Sequence, residues 1–338
     1  MTLLAIESFG YLPDGAITAS DLVSNIWLSS NGGTVTDLGL SDGRKKWTPT
    51  GIPRSTKMAL GGDYTTILVG MRIHSNVSAS QHLLEFIDNG AGVLGLVEFN
   101  SAGQLEYHAD TTDGNLKLTS TGSTGSGNDD YWVIKVVFHA TAGEVYFYKN
   151  GVLDASVTGV DTIYAGTACD QIDFGGGETG TSGNWAISDV WVDDSVNHGD
   201  VYVNYEPCNL SGSSDDWVAT GDTNNEDCVD EIGPDGDTTF TKSFTVGDLD
   251  QLKCSGTILL SGGSIIAVAP FVRARKESAS GDTFKLGLKS GSNHGQGSDI
   301  GPATTYQNFF SLFNDVPGGS GWSVSEYENC EVSYEKTA

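Results

Sequence analysis

The run Tyr-Trp-Val-Ile-Lys-Val-Val-Phe at 131–138 leads through Ala-Thr-Ala-Gly at 140–143 into Glu-Val-Tyr-Phe-Tyr-Lys at 144–149. Asn150-Gly151 and Val-Leu-Asp-Ala-Ser-Val at 152–157 follow. The even positions Trp132, Ile134, Val136 and Phe138 are all apolar, and a period of two with one apolar face is a strand laid across a core. Asn-Gly between two β-prone runs predicts a two-residue hairpin, because both central residues of a type I′ turn need positive φ. Further on, Trp-Ala-Ile-Ser-Asp-Val-Trp-Val-Asp-Asp at 185–194 alternates, with Trp185, Ile187, Asp189 and Trp191 on one side. This is the close of a large antiparallel β-domain.

Outward from that stretch the pattern repeats. Strand-like runs at 65–74, 82–87, 92–99, 104–109 and 116–119 recur every 8–12 residues with Gly, Asn and Asp between them, the spacing of a sandwich or jelly roll. Residues 119–128 are Ser/Thr/Gly-rich and read as a loop, and residues 1–60 are turn-rich. A chain of 338 residues with 45 glycines and few Lys, Arg or Met is expected to be all-β, with very little helix. We expect two domains, a jelly-roll sandwich over 1–196 and a smaller β-sandwich over 197–338, with a linker at 195–199. The second begins with a strand at 200–205 and an acidic, turn-rich excursion at 211–237. Pro270 places its run at an edge or a bulge.

The net charge of −27 is shared about evenly by the two halves. Such a field repels nucleic acid and anionic membrane and favours cations, and the short Arg44-Lys45-Lys46 cluster does not reverse it. No run approaches the ~20 apolar residues of a membrane helix, and the first ten residues lack the basic and apolar regions of a signal peptide. The expectation is a protein made in a cytoplasm. Of the five cysteines, Cys208, Cys228, Cys254 and Cys330 fall after residue 200, enough for two bridges, but nothing signals an oxidising compartment and there is no Cys-x-x-Cys.

The leading Tyr131-Trp132, the hairpin at 147–153 and the strand at 185–192 resemble, in this order, the concanavalin A-like, laminin-G-type jelly roll. Further motifs are Asp189-Val-Trp-Val-Asp-Asp194, Gly199-Asp-Val-Tyr-Val203, Pro207, Trp217, Val229-Asp-Glu231, Asp237-Thr-Thr239 and a run from Ala267-Val to Arg273-Ala-Arg-Lys276. Together they resemble a family of tailed-bacteriophage virion proteins, over roughly residues 65–290. The resemblance implies a structural protein of the virion, tail-associated or decorating the capsid. Its partners would be other virion proteins and copies of itself, docking by sheet edges and loops, and the apolar 309–313 is a candidate contact. The alternative is an adhesin that recognises host-surface glycans.

Retaining glycosidases of this fold carry Glu-x-Asp-x-x-Glu on one strand, and Glu85-Phe-Ile-Asp88 has the wrong spacing. No His-Glu-x-x-His, Gly-x-Ser-x-Gly or phosphate loop occurs, so we expect no enzyme and no required cofactor. His74, His108 and His139 read as structural histidines at strand ends. Calcium is the one cofactor candidate, because hard cations want several carboxylate oxygens. The densest acidic loop holds Asp230, Glu231, Asp235 and Asp237, and Asp110, Asp113, Asp129 and Asp130 lie on loops of the first domain. Acidic turns that merely keep the chain soluble explain the same residues. Trp132 and Trp191 alternate as core; Trp217 and Trp322 lie in polar loops.

Overall fold

A computed structural model of the chain describes residues 3–9, 12, 15–17, 27–30, 33–37, 45–49, 54–75, 81–111, 114–124, 129–178, 185–230, 237–254, 264–279 and 281–338. The chain divides into two units, Met1–Tyr205 and Glu206–Ala338. Both are β, with antiparallel pairing throughout, as expected for a jelly-roll sandwich followed by a smaller β-unit.

The first unit stacks two sheets. The nine-stranded sheet holds β1 (Leu3–Glu7), β2 (Gly15–Ile17), β4 (Gly33–Asp37), β5 (Lys45–Pro49), β7 (Thr66–Ser75), β12 (Asp129–Val137), β13 (Gly143–Lys149), β14 (Val152–Val160) and β16 (Trp185–Asp193). Its order is β14-β13-β12-β7-β16-β5-β4-β2, with β1 on β16. Trp132, Ile134, Val136 and Phe138 are buried as the alternation requires, and Asn150 and Gly151 both have positive φ (50° and 79°), the type I′ hairpin. β16 departs from simple alternation. Its register against β7 shifts between Ser188 and Trp191, with Asp189 at φ 52°, and the whole strand is buried. The bulge turns Asp189 towards Arg72 while Trp191 covers Gly70, where a Cβ would lie 2.2 Å from the indole.

The seven-stranded sheet holds β3 (Trp27–Ser30), β6 (Arg54–Tyr64), β8 (Gln81–Asp88), β9 (Gly92–Phe99), β10 (Gln104–His108), β11 (Leu116–Ser123) and β15 (Cys169–Glu178), ordered β11-β10-β9-β8-β15-β6-β3. Its inner face meets the first sheet through aromatic pairs, Phe86 on Phe138 at 5.3 Å and Phe99 on Trp185 at 6.3 Å. β11 runs on to Ser123, so the Ser/Thr-rich stretch read as a loop is strand up to that point. Thr is a good strand residue, and a sheet-edge strand needs little apolar content. This edge is tied to the other sheet: the Asp154 carboxylate accepts the Thr121 and Gly122 N–H groups at 2.7 and 2.9 Å. Residues 200–205, expected as a strand, form no ladder. Val203 N–H instead donates to Asp189 at 3.0 Å, and Asp200 pairs with Arg72.

In the second unit a five-stranded sheet is ordered β17 (Cys208–Asp215), β20 (Leu249–Cys254), β25 (Glu331–Lys336), β22 (Phe284–Ser290), β23 (Asn293–Gln296). Two-stranded ladders pair β18 (Val218–Thr220) with β19 (Phe240–Lys242), and β21 (Phe271–Ala274) with β24 (Gln307–Phe310). Pro270 sits just ahead of β21, outside any ladder donor role. The only α-helix among the described residues, α1 (Val324–Glu328), starts on a Ser323/Glu326 capping box. Phe309 packs edge-on against Phe284, and Phe313 lies against the Leu288/Trp322 cluster, so the apolar 309–313 run serves the unit's own core. Cys208 and Cys254, opposite one another on β17 and β20, form one disulfide; Cys169, Cys228 and Cys330 are buried thiols.

Candidate functional site

The outer face of the seven-stranded sheet carries charge where an ordinary solvated sheet carries Thr and Lys. Cross-strand register sets out two rungs. One runs Lys57 (β6), Asp173 (β15), Glu85 (β8), Leu96 (β9), His108 (β10); the next runs His82, Glu98, Glu106 and Thr119. Side chains directly opposite on one face have Cβ atoms about 5 Å apart. Glu85 therefore meets Asp173, and Glu98 meets Glu106, as like charges that a neutral surface would avoid.

Burial sharpens this. Asp173, Glu98 and His108 are each no more than 3% exposed, while Glu85, His82 and Glu106 reach solvent at their tips. Burial, first, and the Asp173 charge, second, push the Glu85 carboxyl up to about 7, against smaller opposing effects of His82 and Lys57. Asp173 Oδ1 accepts the Thr56 N–H at 2.9 Å. Two adjoining carboxylates in unlike surroundings, one retaining its proton near neutrality, are what acid–base chemistry requires.

The second rung adds imidazoles. His108 Nε2 lies 3.3 Å from Glu98 Oε1 and 3.6 Å from Glu106 Oε2, and His82 Nε2 lies 3.9 Å from Glu98 Oε2. Glu106 Oε1 accepts from Asn100 Nδ2 at 2.8 Å and from Thr119 Oγ1 at 3.3 Å, which fixes the carboxylate and leaves Oε2 turned to His108.

Other residues singled out in the sequence fall elsewhere. His74 Nε2 bonds Ser188 Oγ at 3.0 Å, and His139 Nδ1 accepts the Thr141 and Ala142 N–H groups; both hold structure together. Asp88 Oδ1 and Oδ2 accept the Gly90 and Thr167 N–H groups, so Asp88 ties two loops and does not partner Glu85. Asp237 is exposed and bound by Tyr306 and Arg275, which hold its carboxyl below the usual range. Asp230 is half-buried, and Glu231 and Asp235 lie outside the described residues, as does Asp113. Asp130 pairs with Lys149 at 2.9 Å, and Asp110 caps Thr111. Trp322 is buried with its Nε1–H on Phe313 O, and Trp217 stands edge-on to Tyr334. Neither is an open platform.

No family model matches the chain, and no curated protein does. Among solved structures it is similar to an endo-β-1,4-glucuronan lyase from the fungus Trichoderma reesei, at 16% identity and a TM-score of 0.37 over 54% of this chain and 94% of that one. It is similar to a pentraxin from Limulus polyphemus, at 15% identity and a TM-score of 0.33 over 44% and 74%. A Trypanosoma rangeli sialidase matches at 13% identity and a TM-score of 0.35, over 53% of this chain and 30% of that one. The likeness is to the β-sandwich alone. The expectation that this chain is no enzyme is nevertheless corrected: a lyase and a sialidase stand among its structural neighbours. The linear motifs behind that expectation include two carboxylates along one strand, whereas Glu85 and Asp173 meet across two strands.

Proposed function

We propose that the outer face of the seven-stranded sheet is a glycan site at which Glu85 and Asp173 work as an acid–base pair. The observation that carries this is their position opposite one another on β8 and β15, with the Glu85 carboxyl raised to about 7 so that it exchanges a proton near neutral pH. Protonated Glu85 gives its proton to the glycosidic oxygen as the bond from that oxygen to the anomeric carbon breaks. The carboxylate beside it stabilises the positive charge developing on the sugar ring, and a water molecule adds to the anomeric carbon and returns a proton to Glu85. The chain's charge of −27 favours a neutral polysaccharide over a polyuronate. Hydroxyl groups are donors, and the carboxylates of this face are acceptors. The test is a panel of neutral and acidic polysaccharides, assayed for binding and for release of reducing ends. Cleavage of a neutral polymer by the wild type, lost in Glu85→Gln with binding retained, supports the pair. No binding to any neutral polymer overturns the glycan reading.

A second reading, assembly on a tailed-phage particle, has the order of motifs in 65–290 and one surface feature in its favour. Phe244 and Val246 of the second unit are 72% and 62% exposed, large apolar groups that a contact between copies or with another virion protein would cover. Calcium held by Asp230, Glu231, Asp235 and Asp237 is proposed only as an adjunct to that assembly. Light scattering of the purified protein with and without chelator tests both, and a monomer indifferent to chelator counts against both.

A further inference from the structure

We propose that Glu98, Glu106 and His108 bind one divalent transition-metal ion of the zinc class. The proposal does not rest on the glycan reading. Three observations carry it.

The donor set has the right chemistry and spacing. One imidazole nitrogen and two carboxylate oxygens lie within 4.8 Å of one another. A tetrahedral ion with bonds of about 2.0–2.1 Å needs its ligand atoms roughly 3.3 Å apart. His108 Nε2 stands 3.3 Å from Glu98 Oε1 and 3.6 Å from Glu106 Oε2, so two of the three edges already match. The Glu98–Glu106 edge is the one an ion would draw in. Mixed nitrogen and oxygen donors favour zinc or its first-row neighbours over calcium, which takes oxygen alone.

Glu98 is the second observation. Its side chain is 4% exposed, and among the described residues no hydrogen bond reaches either carboxylate oxygen; its contacts are the imidazoles of His108 and His82. A carboxylate so far removed from water costs several kcal/mol of desolvation, roughly, unless a charge or donors compensate it. Glu106, directly opposite, adds a like charge. A dication between them removes both costs.

The third is the outer shell. Asn100, at the turn between β9 and β10, donates to Glu106 Oε1 and leaves Oε2 for the cluster, the arrangement that orients metal-ligating carboxylates. Three ligands from one hairpin leave a fourth position open, with His82 beside it.

The experiment uses the full chain, freed of metal by chelator dialysis and titrated with zinc sulfate by calorimetry, with thermal melting in parallel. The expected result is one equivalent bound and a raised melting temperature. Loss of a ligand in Glu106→Gln or His108→Gln should weaken binding roughly 100-fold, at or beyond the upper end for outer-shell changes. Glu106 is partly exposed, so its variant reports even if His108→Gln fails to fold. Cobalt substitution should give visible absorption that disappears in Glu106→Gln. Absence of stoichiometric zinc binding by the wild type overturns the site. So does binding that survives both substitutions, or calcium bound as tightly as zinc. A chain that binds zinc here but no polysaccharide retains this site and loses the glycan reading.

Discussion

Glu85 and Asp173 face each other across β8 and β15, 88 positions apart in sequence and on one rung of the seven-stranded sheet. A pair of carboxylates in that position opposes folding, since burial and mutual repulsion both disfavour the second charge. That cost is typical of positions kept for chemistry rather than for stability.

The Glu85 carboxyl, raised from an ordinary 4.5 to about 7, sets a pH dependence. Between these values the folded state holds a proton that the unfolded chain has lost, so stability falls as pH rises from about 4.5 to 7 and then levels. The full effect is at most about 3 kcal/mol, from 1.36 kcal/mol per pH unit. Glu85→Gln should flatten that segment of the curve and stabilise the protein above pH 7. Denaturant melts at pH 5 and pH 8 check this; an unchanged slope in the variant refutes it.

Arg72 is the counter-charge to Asp189, at 3.4 Å, and to Asp200, at 2.6 Å, and lies over the rings of Tyr131 and Tyr202. Asp189 is 1% exposed, so Arg72→Met leaves a buried carboxylate without its cation. The first unit should lose about 3 kcal/mol. Urea unfolding followed by tryptophan fluorescence reads the loss, and a change below about 1 kcal/mol would assign the pair to the surface class.

Gly70→Ala places a methyl group 2.2 Å from the Trp191 indole, inside a strand pair that cannot open without breaking the β7–β16 ladder. Overpacking of this kind costs roughly 1–3 kcal/mol or more. The expected outcome is a lower melting temperature and a shifted Trp191 emission. A neutral result means that β16 relaxes away from β7.

The Cys208–Cys254 bridge spans 46 residues, and a loop of that size stabilises by about 4 kcal/mol in the chain-entropy account. Under denaturing, non-reducing conditions three thiols should titrate, those of Cys169, Cys228 and Cys330. Cys208→Ser/Cys254→Ser should lower the stability of the second unit. Five reactive thiols would show that the bridge does not form.

Much of the architecture is written in local pattern. The apolar even positions from Trp132 to Phe138 declare a core strand, and Asn150-Gly151 declares its hairpin, because φ preference and alternation are properties of a few adjacent residues. The Asp189 bulge is not legible this way: it shows only once β16 is laid against β7 and Asp189 meets Arg72 of that strand. The three members of the proposed metal-ligating set lie on one hairpin and were within reach. Glu106 and His108 share a face by their spacing, and a turn at 100–103 that pairs Phe99 with Leu105 necessarily sets Glu98 against Glu106. A lone histidine at a strand end reads as structural until that register is drawn.

What the sequence alone determined is the class: antiparallel β throughout, a jelly roll closed by the 185–194 strand, in a strongly acidic chain. These follow from period, turn chemistry and summed charge, which need no partner. Tertiary structure decided the site. It brought Asp173 to Glu85 and His82 to Glu98 by ladder pairing, and pairing between strands far apart in the chain depends on the whole set of alternative registers competing at once. Burial then raised the Glu85 carboxyl to about 7, a property of the surrounding low-dielectric packing that no residue carries by itself.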